Sequence, residues 1–280
     1  MSSTSDPTSD PTSETPATNN GPWPSTIAQS MRADVVPLGA DVGEEAMRVL
    51  YASVLRLWDV VDDLSRLRPE RSAAYSVSIF GSARITPGCK EYEDIKRLAA
   101  TLARKGCTVV TGGGPGLMQA ANEGAREGAP DHPERSVGIR IALEFEQGVN
   151  PFVGEFFEHR TFFSRLHHFV LRSNAFVVTP GGIGTALELM TVWQLLQVRK
   201  LTLTPLILVG EMWEKLVDWA RMYMSASESA IAYATTQELD IPHCVLTVDE
   251  AIDIIARDFD AWFSSPTLGG VEGEAPLSAC

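Results

Sequence analysis

The apolar positions from Tyr75 to Phe259 fall into short runs, each followed by a turn and then by a segment with apolar residues three and four apart. Short apolar runs between glycine or polar residues are typical of buried strands, and the longer spacing is typical of amphipathic helices. The predicted strands are YSVSIF (75–80), CTVVT (107–111), SVGIRIAL (136–143), AFVVT (175–179), TPLILV (204–209) and CVLTV (244–248). The predicted helices are KEYEDIKRLAATLARKG (90–106), LMQAANEGAREG (117–128), FFSRLHHFVLRS (162–173), TALELMTVWQLL (185–196), EMWEKLVDWARMYM (211–224) and DEAIDIIARDF (249–259). The stretch EFEQGVNPFVGEFFEH (144–159) is predicted to be a loop.

This alternation of strands and helices determines the predicted fold class. Strands that alternate with helices of about ten to fifteen residues favour a parallel sheet, because parallel strands need a long crossover connection. The runs AFVV and PLILV are apolar throughout, as expected for strands that are buried on both faces. We therefore predict an α/β fold: a doubly wound, Rossmann-like parallel sheet with helices on both faces, plus an N-terminal helix.

The regions outside the sheet differ in composition. Residues 1–24 are rich in Ser, Thr, Pro and Asp and are predicted to be a disordered tail, and residues 265–280 are predicted to be a flexible tail. Residues 25–70 are predicted to be a helical segment, and residues 71–264 the sheet domain. Within the helical segment, the stretch from Gly43 to Leu67 has one apolar face, which we expect to pack on the following domain or on a partner subunit. This face carries Met47, Leu50, Val54, Leu57 and Val61.

Composition and charge limit the possible partners. The chain is 44% apolar and 21% charged, as is usual for a soluble globular protein. Its formal net charge of −13 argues against nucleic acid and against an anionic membrane, although arginines and backbone N–H groups can still hold one phosphate. We expect no secretory signal and no membrane span. The four cysteines form no Cys-x-x-Cys pair, so we expect neither a zinc ribbon nor a disulfide framework, and a cytoplasmic location.

Three glycine-containing turns follow predicted strands, at the edge of an open α/β sheet where ligands bind. Glycine lets the backbone approach a ligand, and a helix N-terminus after it can bind phosphate, although tight strand-to-helix turns need glycine anyway. The turns favour a phosphorylated, nucleotide-like ligand. Neither G-x-G-x-x-G nor G-x-x-x-x-G-K-[ST] occurs, which argues against ordinary dinucleotide binding and P-loop hydrolysis. The candidate ligand-binding residues are Gly81 and Ser82, then Gly112, Gly113, Gly114 and Gly116, then Gly181, Gly182, Gly184 and Thr185.

Glu188 is the only acidic residue between Asn174 and Glu211, in an apolar helical segment directly after the third glycine turn. Carboxylates are rarely buried without a partner, so a structural role would require pairing, for instance with Arg199 or Lys200. Alternatively, Glu188 faces the ligand cleft, where it could bind sugar hydroxyls or stabilise developing positive charge.

A second candidate group lies in HRTFFSRLHHFVLRS (159–173). On a helix, Arg165, His168 and Arg172 share one face, because they are three and four residues apart. A solvated basic face is the ordinary explanation for His168 and Arg172.

The stretches GGGPGLMQAAN (112–122) and PGGIGTALE (180–188) together resemble the LOG family, the cytokinin-riboside-monophosphate phosphoribohydrolases long misnamed lysine decarboxylases. The family motif P-G-G-x-G-T-x-x-E is matched at every fixed position from Pro180 to Glu188. Arg165 stands 15 residues before Pro180, where the family typically has an arginine. NPFV (150–153) and RTFFSR (160–165) look like the longer bacterial branch.

The resemblance implies a hydrolase that cleaves the N-glycosidic bond of a nucleoside 5′-monophosphate to free base and ribose 5-phosphate. AMP or an N6-substituted AMP is the implied substrate, as in cytokinin activation or nucleotide salvage. Glu188 would stabilise charge at C1′ or orient water, and Arg165 would hold the nucleotide. Amides around Gly182, Gly184 and Thr185 would bind phosphate, and Gly112 to Met118 would border the base. The resemblance also implies a homodimer or higher homo-oligomer, without metal or cofactor.

Two questions stay open at this point. The sequence departs from the family pattern at Leu166, Asn174, Ile183 and Leu187, so the base preference is not fixed. A related fold could also bind a nucleotide or cofactor without catalysis. Such a carrier would bind tightly, release no base and be indifferent to neutralisation of Glu188.

Overall fold

The computed structural model describes residues 47–53, 74–142, 148–225 and 232–264. The chain divides into two units, Met1–Asp63 and Leu64–Cys280. In the first, residues 47–53 form helix α1, which lies within the predicted helix. The rest of that helix and both predicted tails lie outside the described residues.

The second unit contains a seven-stranded sheet in the order β4-β3-β2-β1-β5-β6-β7, with every pair of neighbours parallel. The predicted α/β class with a doubly wound parallel sheet is therefore confirmed. The strands are β1 (Ser76–Phe80), β2 (Thr108–Thr111), β3 (Ser136–Ile141), β4 (Glu155–His159), β5 (Ala175–Val178), β6 (Leu206–Val209) and β7 (His243–Val245). The helices are α2 (Lys90–Arg104), α3 (Leu117–Gly128), α4 (Phe162–Arg172), α5 (Ile183–Gln197), α6 (Glu211–Met224), α7 (Thr236–Leu239) and α8 (Val248–Ser264).

Two apolar cores flank the sheet, because alternate residues of each strand point to opposite faces. On β5, Val177 belongs to the core under α2, α3 and α8, whereas Phe176 belongs to the core under α4 to α7. Phe80 of β1 joins Phe176 there, and its ring meets the ring of Phe169 of α4 edge to face, with centroids 5.0 Å apart. Burial on both faces explains why the central strands are apolar at nearly every position.

Strand β4 corrects the prediction that residues 144–159 are a loop. It pairs with β3 from Val137↔Glu155 to Ile141↔His159 and forms one edge of the sheet. Its sequence EFFEH alternates between more and less exposed positions and lacks the continuous apolar pattern of the other strands. An edge strand is covered less completely, which is why its pattern resembles a loop.

The direction of winding changes at β1, which has β2 on one side and β5 on the other. Connections from β1 to β2 and from β5 to β6 run to opposite faces, so the loops after β1 and β5 leave a crevice between them. Helices α3 and α5 begin beside this crevice, after β2 and β5 respectively. The fold therefore brings the three glycine turns to one edge of the sheet.

Candidate functional site

Ser82 joins the three glycine turns through its backbone. Its N–H donates a hydrogen bond to the carbonyl of Pro180 at 3.0 Å, and its own carbonyl accepts one from the N–H of Leu117 at 2.9 Å. The turn after β1 is thereby fixed both to the turn after β5 and to the start of α3. The N–H of Ser82 is engaged in this junction, and its hydroxyl accepts the N–H of Arg84 at 3.1 Å. Gly81 lies against Thr179, which leaves no space for a Cβ atom.

The turn between β2 and α3, residues 112–116, forms a glycine loop. Gly113 and Gly116 have φ angles of 72° and 73°, which residues with a side chain rarely adopt. A Cβ atom on Gly116 would also collide with the backbone of Ser82 and Ala83. Close approach and backbone conformation therefore both require glycine at position 116. Gly113 similarly packs its backbone against Gly138 of β3.

Buried polar side chains hold the glycine loop from behind. Asn122 of α3 is fully buried, and its Oδ1 accepts hydrogen bonds from Thr111 Oγ1 at 2.6 Å and from Asn150 Nδ2 at 3.0 Å. Thr111 Oγ1 in turn accepts the N–H of Gly113 at 2.9 Å. Neither asparagine is among the functional residues that the sequence indicates. The only signal was their place in the stretches GGGPGLMQAAN and NPFV, which carried the family resemblance.

Glu188 forms a buried ion pair with Arg165. Arg165 Nη1 lies 3.2 Å from Glu188 Oε1, and the two side chains are only 13% and 10% exposed. The alternative partners, Arg199 and Lys200, are both exposed. The two residues that the sequence indicated as catalytic therefore contact each other, although they come from different helices.

Arg165 is fixed from several sides. Its Nε donates to the carbonyl of Ile139 within β3 at 2.9 Å, and its guanidinium lies over the Phe169 ring, 5.3 Å from the centroid. At Gly112 the guanidinium and the sulfur of Met118 occupy the space that a Cβ atom would need. A side chain at position 112 would therefore displace the arginine.

The environment of Glu188 disfavours its charge. Burial raises the pKa of the carboxyl to about 7, and the nearby positive charge of Arg165 only partly opposes this effect. The carboxyl group can consequently gain or lose a proton close to neutral pH, which suits a group that takes part in acid–base or charge-stabilising chemistry.

The third glycine turn leads directly into α5. Gly182 is the residue before the helix, no side chain caps its first turn, and no acidic residue lies there. A Cβ atom on Gly182 or Gly184 would meet no atom within 4 Å, so both face open space. Thr185 is buried against Gly181. An uncapped helix start of this kind has N–H groups available for an anion.

The other two members of the basic stripe on α4 connect this helix to the edge strand β4. His168 Nδ1 lies 2.9 Å from His159 Nε2, and burial lowers the pKa of His168 to about 4. Arg172 pairs with Glu155 at 2.7 Å and covers the ring of Phe157. These contacts are structural, but they correct the expectation of a solvated basic face, because both side chains are partly buried against side chains of β4.

The described residues contain neither a cluster of metal ligands nor a helix able to span a membrane. No group of three or more His, Cys, Asp or Glu residues within residues 47–53, 74–142, 148–225 and 232–264 could hold a metal ion. In the same part of the chain, no helix has the length and apolar character needed to cross a bilayer.

Comparison with known protein sequences identifies a family and a relative. Residues 118–255 match the family described as "Possible lysine decarboxylase". A pyrimidine/purine nucleotide 5′-monophosphate nucleosidase from Escherichia coli (strain K12) is 31% identical over 126 residues. That match covers 43% of this chain and 28% of the relative, so the matched segment is less than a third of the relative's length.

Comparison with solved structures supports the fold. The molybdenum cofactor binding protein from the phototrophic bacterium Rippkaea orientalis has a TM-score of 0.50 and 17% identity, covering 68% of this chain and 99% of that chain. The Moco carrier protein from Chlamydomonas reinhardtii has a TM-score of 0.47 and 19% identity, covering 67% of this chain and 99% of that chain. At this identity, the first likeness establishes a shared fold.

The buried ion pair predicts a pH-dependent stability. A carboxyl whose pKa is higher in the folded than in the unfolded chain stabilises the fold at low pH, and this contribution is lost as pH rises through the folded pKa. Arg165→Met removes the opposing charge and should raise the pKa of Glu188 further. We expect the destabilisation by Arg165→Met to be about 1 kcal/mol larger at pH 8 than at pH 5, since each pKa unit corresponds to roughly 1.4 kcal/mol.

Unfolding of the native chain and of the variant in guanidinium chloride at both pH values gives the free energies of unfolding whose difference is needed. The control is the same substitution in a Glu188→Gln background, where the destabilisation should not depend on pH. If Arg165→Met lowers the free energy of unfolding equally at pH 5 and pH 8 while Glu188 is present, the assignment of the raised pKa to this pair is contradicted.

Proposed function

We propose that the chain, whose residues 118–255 match the family described as "Possible lysine decarboxylase", hydrolyses nucleoside 5′-monophosphates. The reaction cleaves the N-glycosidic bond and gives a free base and ribose 5-phosphate. The observation that carries the proposal is the buried Arg165–Glu188 pair beside the glycine loop. The Escherichia coli relative, by its name, is a nucleosidase acting on this class of substrate.

The chemistry requires a negative group beside the ribose. As the N-glycosidic bond breaks, C1′ acquires positive charge, which a carboxylate can stabilise. Glu188 in its ionised form would take this role or orient the attacking water. The water oxygen bonds to C1′, one of its protons is released, and the departing base nitrogen takes up a proton. Burial of Glu188 strengthens its interaction with the developing charge, since little solvent screens it.

Arg165 would act on both the enzyme and the substrate. A guanidinium group has five N–H donors, and the contacts with Ile139 and Glu188 account for two of them. The remaining donors are available for the ribose or the phosphate of a bound nucleotide. The same contacts hold the carboxylate in place, so that one side chain orients Glu188 and binds substrate.

The 5′-phosphate would bind at the start of α5. Gly182 and Gly184 leave the first helical turn uncovered, and no acidic residue there repels an anion. The N–H groups around Gly182, Gly184 and Thr185 would donate to the phosphate oxygens. The helix then places Glu188 one turn further along, which is a suitable distance for a ribose attached to that phosphate.

The base would lie along the glycine loop and Met118. The thioether of Met118 lies beside Gly112 and Gly114 and offers an adaptable apolar contact. We propose AMP or an N6-substituted AMP as the substrate. The relative's name includes both pyrimidine and purine nucleotides, which supports testing all four common bases.

The alternative function is a nucleotide or cofactor carrier without catalysis. The shared fold with a molybdenum cofactor binding protein is compatible with it, because one fold can support both binding and catalysis. The raised pKa of the buried Glu188 carboxyl favours an enzyme over a carrier, since a carrier for an anionic ligand has no need of a buried acid.

An exposed apolar face supports a homodimer. Along α5, Ile183, Leu187 and Met190 lie on one side of the helix and are 89%, 45% and 41% exposed. Phe162 and Phe163 at the start of α4 are also exposed. Exposed apolar residues clustered on neighbouring elements indicate a protein interface. Because α5 also begins at the third glycine turn, this interface would lie next to the site.

Glu188→Gln keeps the shape of the side chain but removes its negative charge. We expect it to lower the rate of base release by about a hundredfold or more, the usual cost of losing one charge-stabilising group. Release of free base and ribose 5-phosphate is measured from AMP, GMP, CMP, UMP and isopentenyl-AMP.

Glu158→Gln is the matched control, because Glu158 also pairs with an arginine, Arg140, at 3.2 Å but lies on the edge strand. It should leave the rate unchanged. Base release that is equally fast in the Glu188 variant would refute the catalytic role, and tight nucleotide binding without release from the native chain would favour the carrier.

Leu187→Glu places a charge in the apolar face of α5 and should convert dimers to monomers, because an unpaired charge is unfavourable in a buried interface. Sedimentation equilibrium measures the change. Met222→Glu, at an exposed apolar position of α6, is the control and should remain dimeric. A native chain that is monomeric at micromolar concentration would refute the homodimer.

A further inference from the structure

Asn150 contacts the glycine loop at two successive carbonyl groups. Its side-chain Nδ2 donates to the carbonyl oxygen of Gly113 at 3.2 Å and to that of Gly114 at 3.0 Å. Its backbone N–H also donates to the Gly113 carbonyl, at 2.8 Å. Asn150, in the connection between β3 and β4, thus binds the loop through its carbonyl groups.

The position of Asn150 is itself well determined. The residue is 7% exposed, its Oδ1 accepts the N–H of Phe152 at 3.2 Å, and its Nδ2 also reaches Asn122 Oδ1. Pro151 follows, and a residue before proline is largely restricted to extended backbone conformations. The amide therefore has one orientation, with its NH₂ group toward the loop and its oxygen toward Phe152.

The orientation of the carbonyl groups determines the orientation of the loop's donors. A trans peptide is planar, with its C=O and N–H pointing in opposite directions. Because Asn150 holds the Gly113 carbonyl, the N–H of Gly114 must point away from Asn150. The N–H of Gly113 donates to Thr111, and Pro115 has none. Within the described ranges, no acceptor for the Gly114 N–H is present.

The same stretch of loop adjoins the proposed site. Gly112 touches the Arg165 guanidinium, and the terminal methyl of Met118 occupies the space beside Gly114. Gly114 is partly exposed, whereas Gly112 and Gly113 are buried. This N–H, which has no partner among the described residues, therefore belongs to the exposed part of the loop, next to groups that would contact a nucleotide.

We propose that Asn150 is a positioning residue that turns the Gly113–Gly114 peptide so that the Gly114 N–H donates a hydrogen bond to the bound nucleotide. The acceptor is a ring nitrogen of the base or an oxygen of the ribose phosphate. The inference rests on the proposed function for the identity of the ligand. It adds a residue from the β3–β4 connection, remote in sequence from both motifs, to the binding site.

The test follows the Gly114 amide directly. A Glu188→Gln chain labelled with ¹⁵N-glycine binds AMP without rapid turnover, and the Gly114 resonance is assigned by its loss in Gly114→Ala. We expect this resonance to shift on addition of AMP. Ribose 5-phosphate and adenosine, added separately, distinguish the two acceptors: a shift with the first identifies the ribose phosphate, and a shift with the second identifies the base.

Asn150→Asp tests the role of the side chain. It preserves size but replaces the NH₂ donor by an oxygen that repels both carbonyls. We expect the AMP-induced shift of Gly114 to disappear and the Kd for AMP, measured by calorimetry, to rise about tenfold or more. Asn150→Ser is the second variant, for use if the aspartate variant fails to fold. It adds no charge, and its hydroxyl cannot reach both carbonyls, so we expect the same loss of the Gly114 shift and of affinity.

Asn174→Asp is the control. Asn174 accepts the N–H of Ser76 through its Oδ1 at the other end of the sheet, so this variant should retain both the shift and the affinity. A Gly114 resonance unaffected by AMP, or an unchanged Kd in folded Asn150 variants, would overturn the inference even if the native chain releases base. A normal Gly114 shift without base release by the native chain would instead overturn only the proposed hydrolysis.

Discussion

The structure depends on the burial of one carboxyl group against one guanidinium group. Glu188 is 7% exposed, and a carboxylate in such a place is strongly unfavourable without a partner. Arg165 can reach it only because β3 supplies a carbonyl for its Nε and because Gly112 has no side chain. The positions of α4, α5 and the glycine loop are therefore linked, and a displacement of the arginine away from Glu188 would raise the pKa of this carboxyl.

This dependence explains the arrangement of the surrounding loops. Ser82 ties the turns after β1 and β5 together and fixes the start of α3, while the asparagine network fixes the loop between β2 and α3. Positioning of this kind leaves the helix N-termini and the ion pair in defined places before a ligand binds. Pre-organisation is what electrostatic stabilisation of a transition state requires, because groups that must reorient provide less of it.

The sequence was sufficient for the fold class and for the glycine turns that follow the strands, because central parallel strands must be apolar and tight strand-to-helix turns need glycine. It was insufficient for β4, since an edge strand such as EFFEH lacks that pattern. It also could not pair Arg165 with Glu188, which are 23 residues apart and on different helices. Asn150 was hidden for a related reason: its role consists of contacts with backbone carbonyls, which leave no pattern in the sequence.

The central claim is that Glu188, ionised and held by Arg165, supports cleavage of the glycosidic bond. Its most direct test is the pH dependence of kcat for base release from AMP at saturating substrate, between pH 5.5 and 9. Burial raises the pKa of Glu188 to about 7, and the negative phosphate of a bound nucleotide would raise it further. The account predicts a kcat that increases with pH with a midpoint at or above about 7. A kcat that is constant over this range would show that the reaction does not require ionisation of this carboxyl group, and would contradict the account.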